Sequence, residues 1–272
     1  MKKNKRFPKV IEKKIKELYT FISLQIDKEI DPELNLKIKK EIIQNFSNSE
    51  KFRFFNVKES KNLSDKIVKF QQKEWKEEIL TNSVKLKIEY KDFEKKIHDK
   101  ILGACKKFIK SIPEEILKTY EYEYFETLRN QVIEGKEGRK SLLNLLNEIT
   151  KKHAKLIART EASRLQTELT KQRALEVGSE AYIWISAKDQ RTRQSHKEMN
   201  KCVVMWKDKL EEKPFLDGMH GDAGQFPNCR CFTNPIIDKN DLPSSTKIKF
   251  YDSLNKKIVL KKKKEIEKLL FS

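Results

Sequence analysis

The residues of this chain best suited to chemistry are a histidine and a closely spaced pair of cysteines. Cys229 and Cys231 flank one arginine, and His196 precedes them in the sequence. Thiolate sulfur and imidazole nitrogen are ligands that zinc accepts in tetrahedral sites, so these three side chains are candidate metal ligands. A fourth ligand would come from one of three further residues: Cys202, Asp189 or His220.

A purely structural role for the same cysteines is the competing interpretation. Structural zinc sites usually separate paired cysteines by two or more residues, and in a β-strand the two thiols of Cys-x-Cys would point to opposite faces. A buried cysteine also behaves as a small hydrophobic residue, so Cys229 and Cys231 could lock their loop against a strand. We therefore expect no cofactor, and zinc is the one exception that the sequence suggests.

Charged residues form a second group of candidates. Glu161 borders an apolar helical stripe, where a carboxylate must be paired or hydrogen-bonded to avoid a large desolvation cost. Arg191 and Arg193 are its expected partners, which predicts a structural clamp; catalysis by Glu161 and plain surface exposure are the alternatives. Asp189 is placed to cap a following helix that carries His196.

The elements that must position these residues change in kind near Gly178. No glycine occurs before Gly103, and aliphatic residues repeat at steps of three and four, which predicts long helices. Pro113 is expected to begin a new helix, because proline is tolerated in the first turn. Helices are expected at residues 10–30, 36–46, 63–112 with breaks, 114–134 and 139–178, with a loop or short extended segment at Asn45–Asn62 and a turn at Gly135–Gly138.

After Gly178, which is placed to cap its helix, the sequence favours short strands and loops. Strands are expected at Ala181–Ile185, Cys202–Trp206 and Thr246–Tyr251, and Lys256–Lys264 is either an edge strand or the beginning of a short amphipathic helix. The fold class is therefore α+β, with a long-helix-rich N-terminal region and a compact C-terminal module of one long helix, short strands and loops. The expected divisions are a partner-docking helical region at 1–138, the compact module at 139–240 and a basic C-terminal extension at 241–272.

Composition limits the classes of protein to which the chain can belong. The net charge of +19 favours polyanionic partners such as double-stranded DNA, although lysines dispersed among glutamates are also typical of a solvated helical surface. Four cysteines are too few for a disulfide scaffold of 272 residues, which favours a reducing cytoplasm. Lysines interrupt the segment after the basic start, and no apolar window is long enough to span a membrane, so neither a signal peptide nor a membrane partner is expected.

An ordered series of motifs resembles a known family of phage proteins. The series consists of Arg159-Thr160-Glu161 opening a helix, Trp184 to Asp189 ending a strand, Arg191-Thr192-Arg193, His196, and Phe226 to Cys231. In this order and spacing it resembles the phage Mu F-like minor head proteins. The chain departs from the family pattern at Asn200-Lys201, where the family usually has glycine, and at Gln225-Phe226, where it often has proline.

The resemblance implies a role for the chain and a group of residues that fold together. It implies a virion or procapsid protein, assembled in the bacterial cytoplasm, that works with the portal and other capsid components, contacts packaged DNA and catalyses no reaction. These motif segments are expected to condense into one structural cluster made of Arg159, Glu161, Trp184, Asp189, Arg191, Arg193, His196, Cys229, Arg230 and Cys231.

Two other functions compete with this interpretation. One is a metal-dependent nuclease or toxin domain carried by a prophage, in which His196 acts as base or ligand and Asp189, Glu161 and the cysteines complete the site. The sequence lacks a carboxylate-rich metal cluster, a phosphate-binding glycine loop and a nucleophile elbow, which argues against such an enzyme. The other is a nucleic-acid-binding protein of the host, which a segregated basic stripe would favour.

Overall fold

The chain folds into two compact units. The computed structural model describes residues 9–30, 34–70, 72, 90–134, 139–206, 221–255 and 257–271, with side chains for all but 90–93, 123–134 and 139–152. The helical unit comprises residues 9–66 and 102–159, and the sheet unit comprises the described residues of 67–101 and 160–271. The expected α+β class with a helix-rich N-terminal region is confirmed. No helix among the described residues combines the length and apolar character needed to cross a membrane.

Five helices supply the part of the helical unit that the structure describes. They are α1 (Lys9–Asp27), α2 (Leu36–Asn48), most of α3 (Glu50–Val68), and parts of α4 (Tyr90–Glu134) and α5 (Arg139–Glu176). The predicted helices at 10–30 and 36–46 correspond to α1 and α2. The predicted turn at Gly135–Gly138 lies outside the described residues.

Helix α1 shows how sequence periodicity builds this unit. Its buried aliphatic residues recur at steps of three and four, so they line one face of the helix. Burying each such side chain contributes roughly 1.5–3 kcal/mol, and these contacts hold the helix far more than its intrinsic propensity does. The residues are Ile11, Ile15, Leu18, Ile22 and Ile26.

The prediction of a loop or short extended segment at Asn45–Asn62 is wrong, because α3 begins at Glu50. The Ser49 hydroxyl accepts a hydrogen bond from the Phe52 amide at 3.2 Å and so caps the helix. Phe52 is buried and packs on Phe46, with ring centroids 5.1 Å apart. Ser60, a residue type common in loops, is buried within this helix. Its hydroxyl is satisfied because it donates to the Asn56 side chain at 2.7 Å.

The prediction that a new helix begins at Pro113 is also wrong, because α4 runs unbroken through that residue. An internal proline removes one backbone hydrogen bond and costs about 3 kcal/mol. Ile109, Ile112 and Ile116 are buried on both sides of it. Their packing offsets that cost and keeps one helix.

The sheet unit is built on a five-stranded sheet. Its strands are β1 (Ala181–Ile185), β2 (Val203–Met205), β3 (Phe232–Ile236), β4 (Lys247–Asp252) and β5 (Lys257–Lys262). The spatial order is β3-β1-β2-β4-β5, and every neighbouring pair is antiparallel except β2 with β4. The predicted strands at Ala181–Ile185, Cys202–Trp206 and Thr246–Tyr251 are confirmed to within a residue or so at each end.

The C-terminal residues are part of this sheet and not an extension from it. Strand β4 pairs with β2, and β5 pairs with β4 before the chain enters the terminal helix α7 (Lys263–Phe271). Ile248, Phe250 and Ile266 lie in the buried cluster under the sheet. Residues beyond the predicted boundary at 241 therefore contribute to the hydrophobic core of the sheet unit. The predicted boundary at 139 also differs from the observed one, since α5 contributes to both units.

Helix α5 ends at the glycine predicted to cap it. Gly178 has φ +80°, a left-handed conformation that glycine adopts without strain. Its amide donates to the Leu175 carbonyl at 3.0 Å, and the Ser179 amide donates to the Ala174 carbonyl at 2.9 Å. This pair of bonds is a Schellman motif, and it turns the chain from α5 into β1.

Candidate functional site

One face of helix α5 holds the loop that carries the cysteines. Thr160, Arg164 and Thr167 are spaced four and three residues apart, so they lie on the same face. Arg164 Nε donates to the Gln225 carbonyl at 2.8 Å, and Thr167 Oγ1 donates to the Ala223 carbonyl at 2.7 Å. Thr160 Oγ1 accepts a hydrogen bond from the Asn228 amide at 3.1 Å. Three side chains of one helix thus fix the loop at three points.

Gly224 allows this close approach of loop and helix. Its φ is +95°, and a Cβ atom there would lie 2.7 Å from Thr167 Oγ1 and 2.9 Å from Ser163 Oγ. Those separations are shorter than van der Waals contact, so only glycine fits without a shift of the helix side chains. The backbone at this position therefore depends on the absence of a side chain.

Asp189 organises the turn that follows β1. Its Oδ1 accepts hydrogen bonds from the Arg191 amide and from the Thr192 hydroxyl, both at 3.1 Å. Its Oδ2 lies 2.5 Å from a guanidinium nitrogen of Arg230. Partial desolvation favours the neutral acid, but these hydrogen bonds and the positive charge of Arg230 outweigh it, so the pKa of Asp189 is lowered.

The predicted helix-capping role of Asp189 is wrong. The short helix α6 (Gln194–Glu198) has Arg193 at its N-cap position and no side-chain cap. Asp189 instead closes its own turn and pairs across to Arg230, while Arg193 donates to the Pro227 carbonyl at 3.1 Å. Two arginines therefore connect the turn after β1 with the cysteine loop.

His196 of α6 lies at the centre of these contacts. It is 2% exposed and stands between two aromatic rings, with centroid distances of 5.3 Å to Trp184 and 4.9 Å to Phe226. Its Nδ1 atom is 3.5 Å from Cys229 Sγ and 3.6 Å from Cys231 Sγ. Both cysteines are buried and neither forms a disulfide.

The two thiols face the same imidazole, contrary to the expectation for a strand. Cys229 and Cys231 precede β3, and Asn228 has a left-handed backbone with φ +55°. The Cys229 amide then donates to the Phe226 carbonyl at 2.9 Å and closes a turn. The chain is bent at this point, so the alternation of side chains along a strand does not apply.

Hydrogen bonding makes the two thiols unequal. The Cys231 thiol donates to Cys229 and lowers the pKa of Cys229, and the contact with His196 acts in the same direction against burial. The same interaction, together with burial, raises the pKa of Cys231. Burial alone dominates at Cys202, where it raises the pKa to about 12. The lowered pKa of Cys229 favours its thiolate form. Cys202, which lies outside the cluster, stays a neutral thiol.

The predicted residues separate into those that the structure brings together and those that it does not. Trp184, His196, Cys229 and Cys231 are joined directly. Asp189, Arg193 and Arg230 tie the surrounding loops together, and Arg191 contributes its backbone amide.

Glu161 and Arg159 take other partners. The expected clamp of Glu161 with Arg191 or Arg193 is wrong, because Glu161 pairs with Arg164 at 2.6 Å on its own helix. Arg159 lies in the helical unit and pairs with Glu12 at 3.3 Å. The Glu161–Arg164 pair has the three-residue spacing of neighbours on a helix, a signal present in the sequence, whereas the pairing of Arg159 with the distant Glu12 has no such local signal.

Sequence reasoning missed several residues that support the site. Tyr182 donates to Asp222 at 2.9 Å in a fully buried pair, and Gly224 permits the close contact with α5. The signals present in the sequence were the spacing of Thr160, Arg164 and Thr167 and the two glycines in Gly221-Asp222-Ala223-Gly224.

The fold and the site together define an α+β protein with an internally bonded cluster of arginine, aspartate, histidine and cysteine side chains. The family described as Phage Mu protein F like protein matches residues 77–234, which is more than half of the chain. The chain belongs to this family. Membership suggests a part in phage head morphogenesis.

A relative was also found among curated proteins. An uncharacterized protein of Haemophilus influenzae is 29% identical over 133 residues, which is 47% of this chain and 28% of the relative. The chain thus spans less than a third of that protein's length. No solved structure matches the chain.

Proposed function

We propose that the chain is a minor head protein of a phage or prophage that acts in procapsid assembly next to the portal, in the cytoplasm of the bacterial host. Family membership over residues 77–234 carries this proposal, because the matched region includes the whole cluster from Thr160 to Cys231. The portal and the other capsid components are the partners that this role requires.

The contacts of the cluster support a structural role over catalysis. His196 is enclosed by Trp184 and Phe226, and its exposed fraction is 2%. The carboxylates that a nuclease would need are engaged by arginines, Asp189 by Arg230 and Glu161 by Arg164. Groups that bond to each other in this way position loops and leave little freedom to bind a substrate.

Composition of purified heads tests the proposal. The gene is deleted from the phage that encodes the chain and is then restored on a plasmid, and procapsids and mature heads are analysed by quantitative mass spectrometry. We expect the chain in wild-type procapsids at a small, constant ratio to the portal, and a lower yield of infectious heads after deletion. A chain missing from both particles, with normal phage yield after deletion, would contradict the proposal.

Contact with packaged DNA is the finer part of the proposal. Lysines concentrate at the edge of the sheet unit, where β5 leads into α7. Lys257, Lys262 and Lys264 are exposed there, and so is Lys268 further along α7. An edge strand with exposed lysines also resists pairing with other strands, so charge at this place serves solubility in either case.

Salt dependence and a charge-matched control test the DNA contact. Binding to duplexes of random sequence should fall at least about tenfold between about 50 and about 200 mM salt, because bound lysines release counterions from phosphates. Replacing Lys257, Lys262 and Lys264 by glutamine should weaken binding more than the same replacement of Lys9, Lys13 and Lys16, which are exposed on α1. Equal affinities for the two triple variants would exclude the sheet edge as the contact.

A further inference from the structure

The strongest unassigned feature of the molecule is the arrangement of His196, Cys229 and Cys231. Their candidate ligand atoms all lie within 4.8 Å of one another, and all three residues are buried. Three separate parts of the chain supply and support them: helix α6, the loop before β3, and Trp184 of β1. Such convergence of soft and borderline ligands is typical of a metal site.

The distances match a tetrahedral zinc centre. A zinc ion about 2.3 Å from sulfur and about 2.0 Å from nitrogen, in tetrahedral geometry, holds the two ligand atoms about 3.5 Å apart. The observed separations of His196 Nδ1 are 3.5 Å to Cys229 Sγ and 3.6 Å to Cys231 Sγ. One nitrogen thus stands at the same distance from both sulfurs, as a shared ion would require.

A hydrogen-bond network, in which the Cys231 thiol donates to Cys229, is the alternative to a shared ion. In a neutral imidazole, Nδ1 either accepts one hydrogen bond or donates one. Only one of the two sulfurs can then bond to it at a time, and the other approaches to 3.6 Å or less without that bond. A cation between the three atoms interacts with all of them at once.

Charge balance also favours a divalent ion. Two thiolates and one Zn²⁺ sum to zero, so the site can be buried without an uncompensated charge. Arg230, which separates the two cysteines in sequence, directs its guanidinium to Asp189 and is therefore neutralised elsewhere. The rings of Trp184 and Phe226 enclose the imidazole and provide a dry surrounding.

We propose that His196 Nδ1, Cys229 Sγ and Cys231 Sγ bind a structural zinc ion that fastens α6 to the loop before β3. Three residues were candidates for a fourth ligand, and two of them are engaged elsewhere. The Cys202 thiol contacts the Val203 carbonyl at 3.6 Å, and the Asp189 carboxylate is held by Thr192 and Arg230. His220 lies outside the described residues, and the three-ligand centre does not depend on it.

Metal content of the purified full chain tests the proposal. Protein produced with zinc in the medium and passed through a desalting column should retain about one zinc per chain by elemental mass spectrometry. Cys231→Ser should reduce the content to less than about 0.2, whereas Cys105→Ser, which removes another buried thiol, should retain the full content. Wild-type protein with less than about half a zinc per chain would overturn the proposal.

Cobalt substitution keeps the test valid if the serine variant fails to fold. Wild-type protein loaded with Co²⁺ should show intense visible bands of tetrahedral cobalt and a near-ultraviolet charge-transfer band from two thiolates. Octahedral spectra without the thiolate band would overturn the proposal. A mass lower by two hydrogens in nonreduced protein, assigned to a bond between Cys229 and Cys231, would also overturn it.

Discussion

The helical unit and the sheet unit bury their residues in different ways. In the helical unit the buried residues are mainly aliphatic side chains that recur along a helix, such as Ile15 and Ile22 of α1. In the sheet unit, polar side chains reach particular backbone atoms, as when Arg173 donates to the Val68 carbonyl at 2.8 Å and to the Phe70 carbonyl at 3.0 Å. Arg173 is fully buried.

This difference has a consequence for tolerance to substitution. Aliphatic packing depends on volume and burial, so similar side chains can replace one another at a cost of less than about 1.5 kcal/mol. A buried hydrogen bond depends on one donor and one acceptor, and loss of either leaves the other unsatisfied. The helical unit should therefore tolerate changes that the sheet unit does not.

The largest contrast is expected for glycine replaced by alanine. Gly224→Ala places a methyl group 2.7 Å from Thr167 Oγ1 on a backbone with φ +95°, so strain and overpacking should together cost roughly 3 kcal/mol. Gly103→Ala, in α4 of the helical unit, meets nothing within 4 Å and should stabilise the helix by about 0.5–1 kcal/mol.

Two spectroscopic probes separate the effects on the two units. Urea unfolding followed by tryptophan fluorescence reports on the three tryptophans of the chain, of which Trp184 and Trp206 are buried in the sheet unit. Far-ultraviolet circular dichroism reports mainly on the helices. If Gly224→Ala left the fluorescence midpoint unchanged, the close approach of the loop to α5 would be incorrect.

A smaller contrast is expected for tyrosine replaced by phenylalanine. Tyr182 donates to Asp222 where both are fully buried, so Tyr182→Phe should cost about 2 kcal/mol by removing a partner from a buried carboxylate. Tyr120 also donates to an aspartate, Asp27, but at an exposed place in the helical unit. Tyr120→Phe should change the free energy of unfolding by no more than about 0.5 kcal/mol.

Alkaline pH provides a further check on the buried tyrosine. Burial, followed by the charge of Asp222, raises the pKa of Tyr182 well above the ordinary value of 10.0. The unfolded chain therefore loses this proton first, so the stabilisation is complete below pH 10 and declines as the pH rises further. Above that pH, wild-type stability should fall more steeply than that of Tyr182→Phe, by up to about 1.4 kcal/mol per pH unit. Parallel curves would contradict the assignment.

The sequence predicted elements whose pattern is local. Isoleucine spacing predicted α1, and the apolar run at Ala181–Ile185 predicted β1. Prediction from sequence failed where tertiary packing reverses a local preference. Pro113 is an example, because it stays inside α4 with buried isoleucines on both sides. The prediction of a loop at Asn45–Asn62 failed for the same reason, because Phe52 and Ser60 are buried within α3.

For the site, motif order predicted several residues that lie close together, but not all of their partners. His196, Cys229 and Cys231 were predicted as neighbours and lie together. The left-handed Asn228 that turns both thiols toward one imidazole has no signal in the Cys-x-Cys spacing. Arg164 lies three residues after Glu161 on α5, so this pairing was available from local spacing, whereas the pairing of Arg159 with the distant Glu12 was not.

The smallest contrast concerns two arginines of equal side-chain exposure, 47% each. Arg164 bonds through two nitrogens, to Glu161 at 2.6 Å and to the Gln225 carbonyl at 2.8 Å. Lysine cannot reproduce that forked geometry, so Arg164→Lys should cost about 1 kcal/mol. Arg159 makes a single exposed contact with Glu12, which lysine can replace at a cost of no more than about 0.3 kcal/mol.

Urea midpoints of the two lysine variants measure this contrast, by fluorescence for Arg164→Lys and by circular dichroism for Arg159→Lys. Equal costs would mean that the bond to the Gln225 carbonyl contributes nothing beyond the ion pair. A larger cost at Arg164, abolished when Glu161 alone is replaced by glutamine, would instead assign the whole effect to the ion pair. A cost that persists in the Glu161→Gln background identifies the backbone contact as the element that holds the cysteine loop against α5.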